Sequence, residues 1–437
     1  MSPNGSFRRH QQRLVSGAAN ENISEMKAAL EAGANVNGSP EQPLVPIVVA
    51  AIAGHAGTGA VNFLLKQGAD PDMPVTEDIP CPKSDIAMAV RGERALHIAA
   101  RRGDVKLVRL LLRRSRADPN TTDNIGNTPL MATCTSSRAC VEVLQLLLEA
   151  GADPAVAKEG GLIPLHMAAT NGLTDLVDIL CSIAPATLNR CASSGKTPLF
   201  FACKNGHERT VSELLLLGAK QPTPLSEVRR CPLRIAVCEG FVGVVRVLIE
   251  EGGIRAVGGD IPLTEAICFA VGIGYARILQ LLLTARGETG RSGLANTPLK
   301  GSHLLHYGAF CSHPAVVSVL LEAGADEAAR GSKRRIPRDL IGVHIGLDAE
   351  TQMDRGKNVA IRRMMQRGPA YRARSWAWPS VKEADTGCGG EGDTAVAAAA
   401  TTAVLPSPLA VNHSHVIDVI IFRSKGCSRF FVQSAGR

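Results

Sequence analysis

Apolar residues in this chain recur in short blocks separated by polar turns, not in one long amphipathic run. A block of Leu, Ile and Ala opens at Leu14, Ile47, Leu96, Leu130, Leu165, Leu199, Leu233, Leu263 and Leu305. The successive spacings are 33, 49, 34, 35, 34, 34, 30 and 42 residues, so five of the eight intervals lie between 33 and 35. A fixed period of that size marks repeated supersecondary units that bury their apolar faces on one another. Each unit has a first block rich in small residues, as in His97-Ile98-Ala99-Ala100 and His166-Met167-Ala168-Ala169. A strongly apolar second block follows, at 108–112, 144–148, 211–217 and 316–321. The pattern predicts two helices per unit, with Ala in the first allowing close approach.

Turn signals punctuate the units at fixed places. The first helix opens at Thr128-Pro129, Ile163-Pro164, Thr197-Pro198, Cys231-Pro232, Ile261-Pro262 and Ile336-Pro337. Pro suits the first helical position, where its missing N–H would have no intrahelical partner, and a Thr before it caps the helix through its hydroxyl. A Gly turn separates the helices at Gly54-His55, Gly103, Gly172, Gly206-His207 and Gly240. Gly-Ala-Asp or Gly-Ala-Asn closes the second helix at Gly33, Gly68, Gly151 and Gly324, where Gly takes the left-handed cap conformation.

At Leu96-His97-Ile98-Ala99-Ala100, Ile163-Pro164-Leu165-His166 and Lys196-Thr197-Pro198-Leu199 the chain resembles the ankyrin repeat family. The resemblance implies an all-α fold, a helix-turn-helix repeat solenoid with short β-hairpin connections. The family's Thr-Pro-Leu-His signature never occurs in one piece: Thr197-Pro198-Leu199 continues into Phe200, and Thr128-Pro129-Leu130 into Met131. The expected layout is a flexible lead-in at 1–9, an array of about ten units at 10–345, a basic cap at 346–378 and a disordered tail at 379–437. A Pro-rich, acidic loop insertion is expected near 71–92. The unit from Leu263 is loosened by Gly272, Gly274 and a Gly-rich close at 287–293. Thr297-Pro298-Leu299-Lys300 imitates a helix start, but counting back from Gly324 places the true start at Leu304-Leu305-His306.

Composition narrows the class. Aromatic residues make up only 3% of the chain, which suits a thin core of Ala, Leu and Val. The twelve Cys residues are scattered without a Cys-x-x-Cys pair, which reads as free thiols in a reducing compartment. The first nineteen residues carry Arg8, Arg9, His10 and Arg13 and read as no secretory leader. The small-residue stretch at 395–411 is broken by Pro406 and Pro408, so no membrane span is expected. An intracellular chain, cytoplasmic or nuclear, follows. Segment 330–374 holds 12 basic and 4 acidic residues, a balance equal to the net charge of +8 for the whole chain.

Candidate chemistry is sparse. Ser194-Gly195-Lys196-Thr197 resembles part of a phosphate loop, but position 190, where a Gly is required, is Arg190. His207-Glu208 starts a zinc-protease pattern that needs a second His at 211, which is Val211. His303, His306, Cys311 and His313 form the densest ligand cluster, with irregular spacing for zinc, and His306 and His313 each have a structural place in the repeat. His413 and His415 lie in the weak tail, and the apolar run at 416–422 is a strand candidate without assigned purpose. No catalytic, cofactor or metal site is expected, and the chain reads as a non-enzyme.

What remains is binding. The resemblance places hairpin tips and exposed first-helix ends on a concave side. There it assigns contacts with a partner protein to Arg101, Arg102, Thr122, Asn124, Asn127, Thr170, Asn171, Lys196, Lys204, Asn205, Arg334 and Arg335. Their polar and basic character suits an acidic or hydrogen-bonding partner on a monomeric array. Lys333-Arg334-Arg335 also reads as a nuclear import signal or a solvated face. Nucleic acid is disfavoured because few aromatics are present to stack bases. The alternative is a ubiquitin-ligase adaptor, with 345–378 docking the ligase through a basic amphipathic helix at 359–365.

Overall fold

The computed structural model describes residues 3–38, 44–53, 58–79, 89–114, 117–136, 140–220, 231–251, 260–285, 287–299, 302–331, 334–341 and 352–366. The expected tail at 379–437, the Gly54-His55 turn and Lys333 lie outside them.

The chain folds as paired helices. The pairs are α1 (Pro3–Ala19) with α2 (Ile23–Glu31), α3 (Pro46–Ala53) with α4 (Gly59–Lys66), and α5 (Ala95–Arg102) with α6 (Val105–Arg114). They continue with α7 (Pro129–Thr135) and α8 (Val141–Glu149), α9 (Pro164–Thr170) and α10 (Thr174–Ile183), and α11 (Pro198–Lys204) and α12 (Glu208–Leu216). Next come α13 (Pro232–Glu239) and α14 (Val242–Glu250), then α15 (Asp260–Ile273) and α16 (Ala276–Thr284). An extra helix α17 (Gly287–Ala295) precedes α18 (Leu304–Phe310) and α19 (Pro314–Glu322). A 3₁₀ turn at Pro337–Leu340 and α20 (Gln352–Gln366) follow. First helices α1 to α15 stack in chain order with α18 after them, and second helices α6, α8, α10, α12, α14, α16 and α19 form the adjoining layer.

Helices of seven to ten residues are marginal alone in water, so packing must hold them. Leu96, Ala99, Leu111, Leu144, Leu165, Leu199 and Leu233 are all 0–1% exposed, and each such buried Leu contributes about 1.5–3 kcal/mol. Ends are set locally. Thr128 and Thr197 accept a hydrogen bond from the N–H of Met131 and Phe200 through their hydroxyls. In three units whose first helix lacks Thr, a His takes over: the N–H groups of Arg94, Ile163 and His303 donate to Nδ1 of His97, His166 and His306. Thr and His thus share the capping work, which explains why the full signature is never needed in one unit. Second helices close as the Gly-Ala pattern requires: Gly33, Gly68, Gly151 and Gly324 all have φ between 85° and 98°. In each, the Gly N–H and the following Ala N–H satisfy the last helical carbonyls.

Adjacent units are tied by side-chain amides. Asn37, Asn120 and Asn296 accept through Oδ1 from the N–H of Asp70, Asp153 and Asp326 at 2.7–2.8 Å. One rung uses Asp72 instead, accepting from the Asp118 N–H at 3.2 Å. Burial pushes its carboxyl above the ordinary range, Asp70 and Asp118 adding to the effect.

Three segments depart from a plain repeat. The Gly-rich close at 287–293, expected to be loose, belongs to α17, whose Leu294 and Ala295 are buried against the core. Tertiary burial overrides the poor helix propensity of Gly there. The insertion near 71–92 is a hairpin base: Val75 and Glu93 pair through their backbones, Ile79 bridges Ala89, and Val75 and Ala89 are buried. Residues 80–88 lie outside the described residues. The lead-in at 1–9 joins α1 from Pro3 onward. As counted from Gly324, the helix start lies at Leu304, and Pro298–Leu299 instead forms a strand, β1, paired antiparallel with Ser302–His303, β2.

Candidate functional site

The surface that repeats along the stack is the outer face of the first helices together with the hairpin tips. In the later units, the side chain two residues beyond the first Leu leaves the core. This row reads Met167, Phe201, Ile235, Glu265 and Tyr307, each half-buried or, for Tyr307, 38% exposed. The equivalent Ile98 and Ala132 in earlier units are buried. Phe201 is fixed by edge-on contacts with His166 (5.6 Å) and Phe200 (5.8 Å). Beside the row, the Arg234 guanidinium lies 4.7 Å from the Phe269 ring centroid. Burial pushes the Glu265 carboxyl above its usual range, and the charge of Arg234 pulls it partly back. Phe269 and Phe310 flank the row, both half-buried. Sequence reasoning missed this row because it sought polar residues; the signal was the residue type two positions past each Leu.

The twelve residues expected to contact a partner fall into two groups. Several are committed within the fold. Arg101 pairs with the buried Glu93 at 3.1 Å, and Arg102 donates to the Ile52 carbonyl. Asn127 donates through Nδ2 to Asp123 and accepts from Lys158 at 3.1 Å. Thr170 donates to the His166 carbonyl. Asn171 and Asn205 donate to the carbonyls of Cys134 and Thr170 in the preceding unit, both at 2.9 Å. Lys196 sits 5.1 Å over the Phe200 ring. The others present exposed side chains: Thr122 and Asn124 on one hairpin tip, Lys204 at the end of α11, and Arg334 and Arg335 on the last tip. Lys204 lies one turn beyond Phe201 on the same helix, so it joins the apolar row to the polar rim.

The groups considered for chemistry are engaged structurally. His306 accepts at Nδ1 and donates from Nε2 to the Arg335 carbonyl at 3.1 Å, and His313 bonds the Gly272 carbonyl through Nε2 at 3.1 Å. No cluster of metal-ligating side chains occurs among the described residues. Gly195 has φ +71° in a tight turn closed by the Ala192 and Lys196 backbones, which delivers the chain to the Thr197 cap and not to a phosphate. Burial pushes the thiols of Cys134 and Cys268 up to about 12 and those of Cys181 and Cys311 to about 11, which leaves them poor nucleophiles.

Comparison with known proteins agrees with this geometry. The family model described as "Ankyrin repeats (3 copies)" matches residues 47–158, 142–224 and 165–257. The chain is an ankyrin repeat protein. It is 26% identical over 342 residues to the E3 ubiquitin-protein ligase KEG of Arabidopsis thaliana, covering 71% of this chain and 19% of that protein. It is 27% identical over 176 residues to the ankyrin repeat protein nuc-2 of Neurospora crassa, covering 40% of this chain and 16% of the relative. With the human ankyrin repeat and SOCS box protein 16 it shares 30% identity over 233 residues, 51% of this chain and 46% of that one. The chain thus spans less than half the length of each of these relatives. Ankyrin arrays of this kind generally bind proteins and are not themselves catalytic. Among the described residues no helix is long and apolar enough to cross a membrane.

Proposed function

We propose that this ankyrin repeat protein is an interaction scaffold that holds a partner protein across the concave face of the array. The observation that carries this reading is the row Met167, Phe201, Ile235, Glu265 and Tyr307, flanked by Lys204 and Asn205. Large apolar and aromatic side chains held half-exposed on a rigid stack are what interface anchors consist of. The half-buried Glu265 adds a point of charge selection for a basic or hydrogen-bond-donating group on the partner.

Proximity labelling with the full chain, followed by titration of the captured partner, tests the reading. Phe201→Ala combined with Ile235→Ala is expected to weaken that partner's affinity by about 2 kcal/mol or more. Unchanged affinity in a folded double variant removes this face from the binding surface. Arg101→Glu with Arg102→Glu is a poorer probe, because Arg101 neutralises a buried carboxylate and Arg102 caps a carbonyl of the preceding unit.

The adaptor reading is favoured by the similarity to a ubiquitin ligase over 71% of this chain. Against it stands the helix assigned to dock the ligase: Ile361 of α20 is fully buried and Asn358 is 5% exposed, so its apolar side is turned inward. Docking through α20 would therefore have to use its basic outer side.

A further inference from the structure

The last helix pair of the stack carries two basic pieces that the repeat pattern does not require. Arg330, Arg334 and Arg335 project from the hairpin tip after α19, and Arg338 from the 3₁₀ turn that follows; all four are exposed. The tip is held in place because His306 donates from Nε2 to the Arg335 carbonyl at 3.1 Å and Gly331 donates to the same carbonyl at 2.9 Å. Arg362 and Arg363 are exposed on α20, which packs on α19. That helix is anchored by fully buried Ile361 and by Asn358, whose Oδ1 accepts from the buried Ser312 hydroxyl at 2.8 Å. None of these six guanidinium groups forms an ion pair among the described residues.

We propose that this end of the stack is a second binding site, separate from the first-helix row, for an acidic segment of a protein carrying an apolar side chain. Like charges adjacent in sequence repel one another, Arg334 with Arg335 on the tip and Arg362 with Arg363 on α20, and an acidic ligand relieves that repulsion. All six are Arg, whose planar fork matches a carboxylate in two parallel hydrogen bonds. Val359, 44% exposed, lies one turn before Arg362 and Arg363 on α20, so residues at these spacings share a helix face. An apolar contact between arginines serves a peptide with mixed acidic and apolar side chains. A phosphate backbone has no use for it.

The test uses the full chain and fluorescence anisotropy of a short labelled peptide of Glu, Asp and Ser with one central Leu. Duplex DNA and the same peptide with Ser in place of Leu are the comparison probes. Saturable binding of the Leu peptide that weakens as salt is raised is expected. Arg362→Glu with Arg363→Glu should weaken it at least about tenfold, with an unchanged unfolding midpoint because Ile361 and Asn358 still anchor α20. Val359→Ser should weaken the Leu peptide severalfold and leave DNA binding as it was. Phe201→Ala should have no effect, which separates this site from the first-helix row. The proposal is overturned if the peptide does not bind saturably, or if the charge-reversed variant binds it as well as the parent. It is equally overturned if DNA binds more tightly than the peptide and the peptide is indifferent to Val359→Ser.

Discussion

His97 and His166 each do two jobs with one ring. Nδ1 accepts from the N–H that opens the helix, and Nε2 bonds a carbonyl of the next hairpin, Asn127 or Lys196, at 3.0 and 3.2 Å. That geometry requires the neutral ring, because a protonated Nδ1 cannot accept. Burial accordingly pushes both rings down from 6.5 to about 4. Above pH 6.5 folded and unfolded chains both hold neutral His, and the contribution is fully present. Below it the unfolded chain takes up protons that the folded chain refuses, so stability is lost as pH falls through the window from 6.5 to about 4. At about 1.4 kcal/mol per pKa unit the loss reaches a few kcal/mol per histidine. Urea unfolding at pH 7 and pH 4.5 should show a smaller drop for His97→Gln with His166→Gln than for the parent chain. An equal drop in both would mean that other groups carry the pH dependence.

At the scale of the helix pair, the turn between the helices is where the units lock together. Gly172, Gly206, Gly240 and Gly274 all have positive φ, and against them sit the rings of His207, Phe241, Tyr275 and His313 from the following unit. A Cβ on Gly206 would meet Phe241 Cε1 at 2.8 Å, whereas one on Gly218, with φ +90°, would meet nothing within 4 Å. Gly218→Ala should therefore cost only the left-handed backbone, about 1–2 kcal/mol, and Gly206→Ala distinctly more, as read by denaturant midpoint. Equal costs would show that the ring moves aside freely. The left-handed glycines were legible in the sequence, since Gly-Ala-Asp after an apolar run has one low-energy meaning. The rings against Gly206 and its equivalents were not, because they come from about thirty-five residues away. The same limit hid the roles of Asn171 and Asn205, which look like surface polar residues until Cys134 and Thr170 of the preceding unit are placed beside them. Helix α17 was illegible for a different reason. Its Gly content argues against a helix, and only the burial of Leu294 and Ala295 decides for one.

Across the whole molecule, a stack in which each pair touches only its neighbours transmits damage over short distances. The two ends are therefore its weakest places unless something covers them. At the C-terminal end that covering is α20, which buries Ile361 completely and pairs Asn358 with Ser312. Ser312 itself sits at φ +56°, where Gly103, Gly172, Gly206, Gly240 and Gly274 stand in inner units, so the last pair carries backbone strain that the pair before it does not. Replacing Ile361 with Asp puts an unpaired carboxylate into that contact, which should detach α20. Hydrogen exchange followed by mass spectrometry should then show faster exchange in α18 and α19, with α5 to α12 exchanging as before. Acceleration spread evenly along the chain would mean that the array unfolds as one cooperative body. If the change stays local, α20 acts as a removable cap, and the arginines it carries are positioned by the same contact that seals the stack.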